Sequence, residues 1–321
     1  MRRRRLLQAL AAAAVMPSTA MAAPARLRGL FPIAQTPFTA HDKLDTAALA
    51  QQVTFCARTK VPGLIWPQLA SNWSTLTEDE RLSGAEALLA AAKNTPVSVV
   101  IGVQANDNDL ASSLRMLRHA EAHGAPAIIS LPPAKVSEAE MVTYYQRIGA
   151  ATDLPLVLQT QGSMSVELVE NVYRAAPTLA CVKDEAGDPL QRYARIRALT
   201  GNKVAIFAGK GCTEMLNELR LGFDGYCPSM FCTDLFQKVF EAWNGGRRKE
   251  AEELFARILA LRSIPNVMPY LMVLRGIFPE TVTTRTPAGQ RMPAPLGASE
   301  KALVRAVWND LLAPYAINGT R

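Results

Sequence analysis

The chain is poor in the residues that build metal and redox centres. Its 321 residues include three histidines, His41, His119 and His123, and five cysteines, Cys56, Cys181, Cys212, Cys227 and Cys232. No two cysteines stand in CxxC spacing and their number is odd, so neither a zinc site nor a complete disulfide framework is indicated. One bridge among Cys212, Cys227 and Cys232 stays open for an oxidising compartment. His119 and His123 are spaced i, i+4 and could face one metal. No glutamate stands between them as in a zinc-protease helix, and the pair reads as a solvated helix face. There is no GxGxxG, which removes the dinucleotide fingerprint of an open doubly wound sheet. No basic cluster is interleaved with aromatics, so nucleic acid is not an expected partner. No apolar run reaches the roughly 20 residues of a spanning helix, so stable membrane insertion of the mature chain is not expected. No metal and no cofactor are expected.

What is present begins with an export signal. Residues 1–22 carry four arginines at 2–5, an apolar run at 6–15 and the small-residue pattern Ala20-Met21-Ala22. The arginine block suggests the twin-arginine route; the Ser and Phe that usually flank such a pair are missing, and ordinary secretion stays open. A periplasmic or secreted location follows. The net charge of +7 falls to +3 once those four arginines leave.

Strand and helix signals then alternate. Apolar runs at 30–38, 63–68, 97–103, 127–131, 156–159, 179–183, 204–208 and 225–228 read as strands. Helical stretches follow each, several with start signals: Thr77 with Glu80, Ser137 with Glu140, and Asp188 with Pro189 at the first helical position. Eight such repeats predict an α/β fold, a (β/α)8 TIM barrel at 23–245. Further helical stretches at 247–261, 267–278 and 300–315 form a C-terminal extension, 246–321, expected to pack on the barrel.

The sixth strand carries the chemistry. Leu179-Ala180-Cys181-Val182 is apolar on both faces, and Lys183 follows with no polar transition before Asp184 and Glu185. In this fold, active groups sit at the carboxyl ends of strands. Burial there disfavours an ammonium, so a dry, largely uncharged amine is expected, ready to attack a carbonyl carbon. The opposing reading is a lysine that leans out and pairs with Asp184 or Glu185. The other strand ends supply amides and hydroxyls: Thr36, the stretch 68–74, Gln104, Gln159 to Gln161, Gly209-Lys210-Gly211 and Ser229. Such a ring suits an oxo acid better than a divalent metal.

From about Leu27 onward the chain resembles the dihydrodipicolinate synthase/N-acetylneuraminate lyase family. The matching pieces come in order: Thr36-Pro37-Phe38 with Asp45, STLTEDER at 74–81, TDLPLVLQ at 152–159, VKDEAGD at 182–188, FAGKG at 207–211 and GFDGYCPS at 222–229. The resemblance implies a class I lyase, an aldolase or dehydratase. Its lysine, here Lys183, condenses with a 2-oxo acid to an iminium that serves as an electron sink. It also implies a homodimer or homotetramer. The departures are specific. The family's G-T-T-G-E is replaced by Gln68-Leu69-Ala70-Ser71-Asn72, and its proton-shuttling tyrosine falls on Ala134. Its Y-N-x-P is replaced by Gln159-Thr160-Gln161-Gly162, and the arginine for a second carboxylate has no counterpart. Dihydrodipicolinate synthesis itself is therefore not expected. By position, Ser71, Asn72, Gln159 and Gly209 are the expected substrate-binding residues. The alternative is a catalytically lapsed periplasmic barrel that binds a small organic acid.

Overall fold

The computed structural model describes residues 27–290 and 294–317; the export signal expected at 1–22 lies outside them. Eight parallel strands, β1 (Gly29–Leu30), β2 (Gly63–Trp66), β3 (Ser98–Gly102), β4 (Ala127–Ser130), β5 (Leu156–Gln159), β6 (Leu179–Asp184), β7 (Ala205–Gly211) and β8 (Gly225–Pro228), pair in the order 1-8-7-6-5-4-3-2. Single bridges from Ile33 to Ile65 and to Ser229 join the two ends of that order. The sheet is thus closed into a cylinder with no edge to template aggregation. The first strand is far shorter than the apolar run at 30–38, because Pro32 and Pro37 have no N–H to give a ladder.

The barrel helices are α1 (Thr46–Arg58), α2 (Glu78–Ala92), α3 (Leu110–Ala122), α4 (Glu138–Gly149), α5 (Val166–Ala175), α6 (Pro189–Leu199), α7 (Met215–Leu221) and α8 (Thr233–Asn244). Their starts follow the side-chain caps. Thr77 and Ser137 each accept from the backbone N–H three residues on, and Glu80 and Glu140 return the bond. Asp188 caps α6 ahead of Pro189. The third helix starts only at Leu110, because Asp109 takes its cap and 106–108 form a separate 3-10 turn. Beyond the barrel lie α9 (Arg248–Arg262), α10 (Val267–Leu274) and α11 (Ala298–Leu311). The result is a (β/α)8 barrel with added C-terminal helices. Among the described residues no helix is long and apolar enough to cross a membrane.

Two apolar layers divide the interior. The outer one fills the space between strands and helices; the inner one plugs the cylinder with Phe31, Ile65, Val100, Ile129, Val157, Cys181, Phe207 and Cys227 among others. Strand side chains alternate between these layers. The inward position two residues past each plug residue therefore stands at the carboxyl-end mouth: Gln159 above Val157, Lys183 above Cys181, Gly209 above Phe207. Pairing of Gln159 with Lys183, and of Lys183 with Phe207, sets these three strands in register.

Candidate active site

Lys183 is 3% exposed, and its ammonium forms an ion pair with the Glu185 carboxylate. The amine is as dry as its apolar strand implies, but it is not the bare amine expected of that strand. The strand period gives the reason: Cys181, Lys183 and Glu185 fall on one side, inward, and Asp184 on the other. Asp184 is spent on the outer layer, where it accepts from Thr160 Oγ1 at 2.6 Å and from Arg192 Nε and Nη2 at 2.9 and 3.0 Å. The pairing anticipated as a lysine leaning outward is formed inside the barrel instead.

Glu185 is the hub of the mouth. Its Oε2 takes both Lys183 Nζ and the Gln159 side-chain amide, and its Oε1 accepts the Lys210 backbone N–H at 2.6 Å. Gly209 leaves the space the carboxylate fills, since a Cβ there would overlap Glu185. Burial pushes the Glu185 carboxyl up, but the Lys183 charge and hydrogen bond, with the donors from Lys210 and Gln159, outweigh it and hold the group below its usual range. The Lys210 ammonium points elsewhere, to Gly187 O at 2.7 Å. Three expected residues, Lys183, Gln159 and Gly209, thus converge on a fourth that sequence reading treated only as an ion-pair partner. The i, i+2 spacing from Lys183 was the signal for it.

Ser71 and Asn72 are engaged in a different place. The Ser71 hydroxyl donates to Ala34 O at 2.6 Å and accepts the Gln68 N–H at 3.1 Å. Asn72, in the left-handed region at φ 52°, donates its amide to Arg285 O at 3.0 Å. Both fasten the loop after β2, and neither hydrogen-bonds to the cluster around Glu185. Nearby, Trp66 is buried and donates to Thr36 Oγ1 at 3.1 Å, while the Arg81 guanidinium lies 5.5 Å from the Trp73 ring. Tyr144 bonds Ser130 Oγ and Ser113 Oγ, and Tyr145 bonds Ser130 O, so neither hydroxyl serves the mouth.

All five cysteines are free and buried, so the open question of a bridge among the last three resolves to none. Burial raises the Cys227 thiol to about 12 against the pull of Lys183, which leaves it protonated and inert. Glu86 on α2 completes a trio with His119 and His123 that could grip a divalent cation. Metal-ligating imidazoles almost always anchor their second nitrogen, yet His119 Nδ1 is buried without a hydrogen-bond partner. The trio sits on the helical layer, away from the mouth.

Glu218, on α7, is raised to about 8, first by burial and then by Glu214, with Lys210 opposing. Its folded-state value lies above that of the unfolded chain, so between about pH 4.5 and 8 the native state holds the extra proton. Stability is expected to fall as pH rises through that window, and Glu218→Gln to flatten the slope; thermal melts at stepped pH measure it.

Comparison with known proteins converges on one family. The profile of the dihydrodipicolinate synthetase family matches residues 26–289. The L-2-keto-3-deoxyarabonate dehydratase of Azospirillum brasilense is 24% identical over 266 residues, 79% of this chain and 85% of its own. The 4-hydroxy-tetrahydrodipicolinate synthase of Rhizobium meliloti (strain 1021) is 26% identical over 298 residues, 87% and 98% of the two chains. A prophage protein of the dihydrodipicolinic acid synthase family from Escherichia coli K12, solved in complex with pyruvate, superposes with a TM-score of 0.75 at 21% identity, covering 89% of this chain and 98% of that one. The chain belongs to the dihydrodipicolinate synthetase family, and its general chemistry is that of the Schiff-base-forming, class I lyases.

Proposed function

We propose that this protein is a lyase of a hydroxylated 2-oxo acid, with Lys183 as its nucleophile. The observation that carries the reading is the placement of Lys183: a buried amine on the inner face of β6, two residues past the plug residue Cys181, at the mouth where barrel enzymes do chemistry. Condensation of Nζ with the 2-oxo carbon gives an iminium that withdraws electrons from the neighbouring bonds, so a carbon–carbon bond can break or a hydroxyl can leave. The Gln159 Oε1 atom is buried without a hydrogen-bond partner. An acceptor left open there favours a substrate with a hydroxyl near the oxo group, because an unmet buried acceptor costs about 1–3 kcal/mol that a substrate donor recovers. That is the character of the keto-deoxy sugar acid in the name of the Azospirillum relative. Export to the periplasm or beyond and assembly as a homodimer or homotetramer complete the proposal.

The ion pair with Glu185 favours a second reading, a lapsed barrel that binds a small acid, since an amine held as an ammonium is no nucleophile. Borohydride reduction with pyruvate and with sugar-derived 2-oxo acids, followed by peptide mass mapping, separates the two. An adduct on Lys183 is expected. Unmodified Lys183 across the whole panel would reject the lyase.

A further inference from the structure

We infer that Glu185 is the acid–base group of the site, the one that takes the proton off Lys183 and returns it to expel water. The inference deepens the lyase reading and rests on it. An ammonium cannot attack a carbonyl, so a proton must leave Nζ first; the carbinolamine then needs a proton on its hydroxyl before that oxygen can go. Among the described residues, Glu185 is the carboxylate paired with Nζ. The other groups facing it do not compete. The Cys227 thiol is kept protonated by burial, the Lys210 ammonium is bonded to Gly187 O, and the Gln159 amide does not titrate. The Tyr226 hydroxyl belongs to the outer layer and turns away to Phe223 O. Arg262, on α9, reaches the same rim but bonds the Gly211 carbonyl, and a guanidinium keeps its proton.

The carboxylate is also held in position. Lys210 N–H fixes Oε1 and the Gln159 amide fixes Oε2, so proton uptake needs no search of rotamers. The absence of a side chain at Gly209 gives the group its room.

The steps balance. A proton moves from the Lys183 ammonium to Glu185 Oε2, leaving a neutral amine and a carboxylic acid. The nitrogen lone pair attacks the oxo carbon as the carbonyl π pair moves to oxygen, and a second hydrogen passes from nitrogen to that oxygen through the carboxyl group. The protonated carboxyl then donates to the hydroxyl, the C–O bond breaks, and water leaves. Of the three ammonium hydrogens, two depart in the water and one stays on the iminium nitrogen. Glu185 ends as it began, a carboxylate.

The opposite role predicts the opposite sign. If Glu185 only clamps an ammonium, its removal frees the amine and speeds condensation; if it carries the proton, its removal slows it. The test measures the rate of cyanoborohydride-trapped adduct on Lys183 in the full chain, with pyruvate and, separately, with formaldehyde, a carbonyl that needs no recognition. Glu185→Gln is expected to slow trapping about 10²–10⁴-fold with either carbonyl. Added formate is expected to restore part of the rate in Glu185→Ala and none in Lys183→Ala, a rescue that a merely structural role would not produce. Trapping in Glu185→Gln at the wild-type rate or faster overturns the inference, as does failure of formate to rescue Glu185→Ala. Wild-type trapping of formaldehyde but not pyruvate, with the Glu185→Gln defect intact, removes the 2-oxo acid reading and leaves the inference standing. Wild-type protein that traps neither overturns both.

Discussion

Lys183→Met is expected to eliminate every trappable adduct and to lower turnover on the order of 10⁶-fold, the scale seen when a covalent nucleophile is removed. Methionine keeps much of the lysine stem, so the apolar packing above Cys181 survives and the loss reports chemistry. The carboxylate left behind keeps two donors, the Lys210 N–H and the Gln159 amide. Without the ammonium, burial is opposed only by the Lys210 and Gln159 donors, so the Glu185 carboxyl shifts upward. The variant should also lose one acid-sensitive component of stability. In the wild type Glu185 is held below its unfolded value, so its stabilisation is present above the unfolded pKa and lost as pH falls through the folded one. Mass mapping after borohydride, single-turnover kinetics and melts across acidic pH check the three parts. An adduct that persists in Lys183→Met would place the nucleophile elsewhere.

Arg275→Met is expected to cost about 3–5 kcal/mol of stability, read by chemical denaturation. The Arg275 and Asp234 side chains are 2% and 1% exposed, and their two parallel contacts are both 2.7 Å. Asp234 also accepts the Ile317 N–H at 2.9 Å, while Arg275 donates to Phe231 O and Ile317 O and lies over the Phe55 and Trp308 rings. One pair therefore ties α8 of the barrel to α10, to α11 through Trp308 and to the end of the described chain. Removing the arginine leaves a buried carboxylate with little but one N–H to solvate it. Replacing both partners, as Asp234→Leu with Arg275→Met, should recover much of the loss, because the stranded charge goes with the pair. A double variant no more stable than the single one would show that the arginine acts through its ring contacts and carbonyls.

How much of this was legible beforehand follows the range of the forces involved. Local rules marked the strands, the capped helix starts at Thr77, Ser137 and Asp188, and Lys183 itself, because periodicity and side-chain caps act within a few residues. They overran at 30–38, where proline broke the pattern. Gln159 and Gly209 were reachable as strand ends, and the register of β5, β6 and β7 brings them to Lys183. Ser71 and Asn72 were reachable by the same logic, yet their partners are Ala34, Gln68 and Arg285, the last lying 213 residues further on. No spacing rule announces that contact.

By itself the sequence determined a closed eight-stranded barrel with added helices, and a lysine presented at its mouth, since the alternation of apolar runs with capped helices admits little else. Only the tertiary structure decided what surrounds that lysine. Glu185, Gln159, Lys210 and Arg262 come from β5, the ends of β6 and β7, and α9, and they meet because the cylinder closes and the trailing helices fold back over its rim. Distances between residues far apart in the chain are set by that closure, and with them whether the amine faces solvent, a carbonyl or a carboxylate.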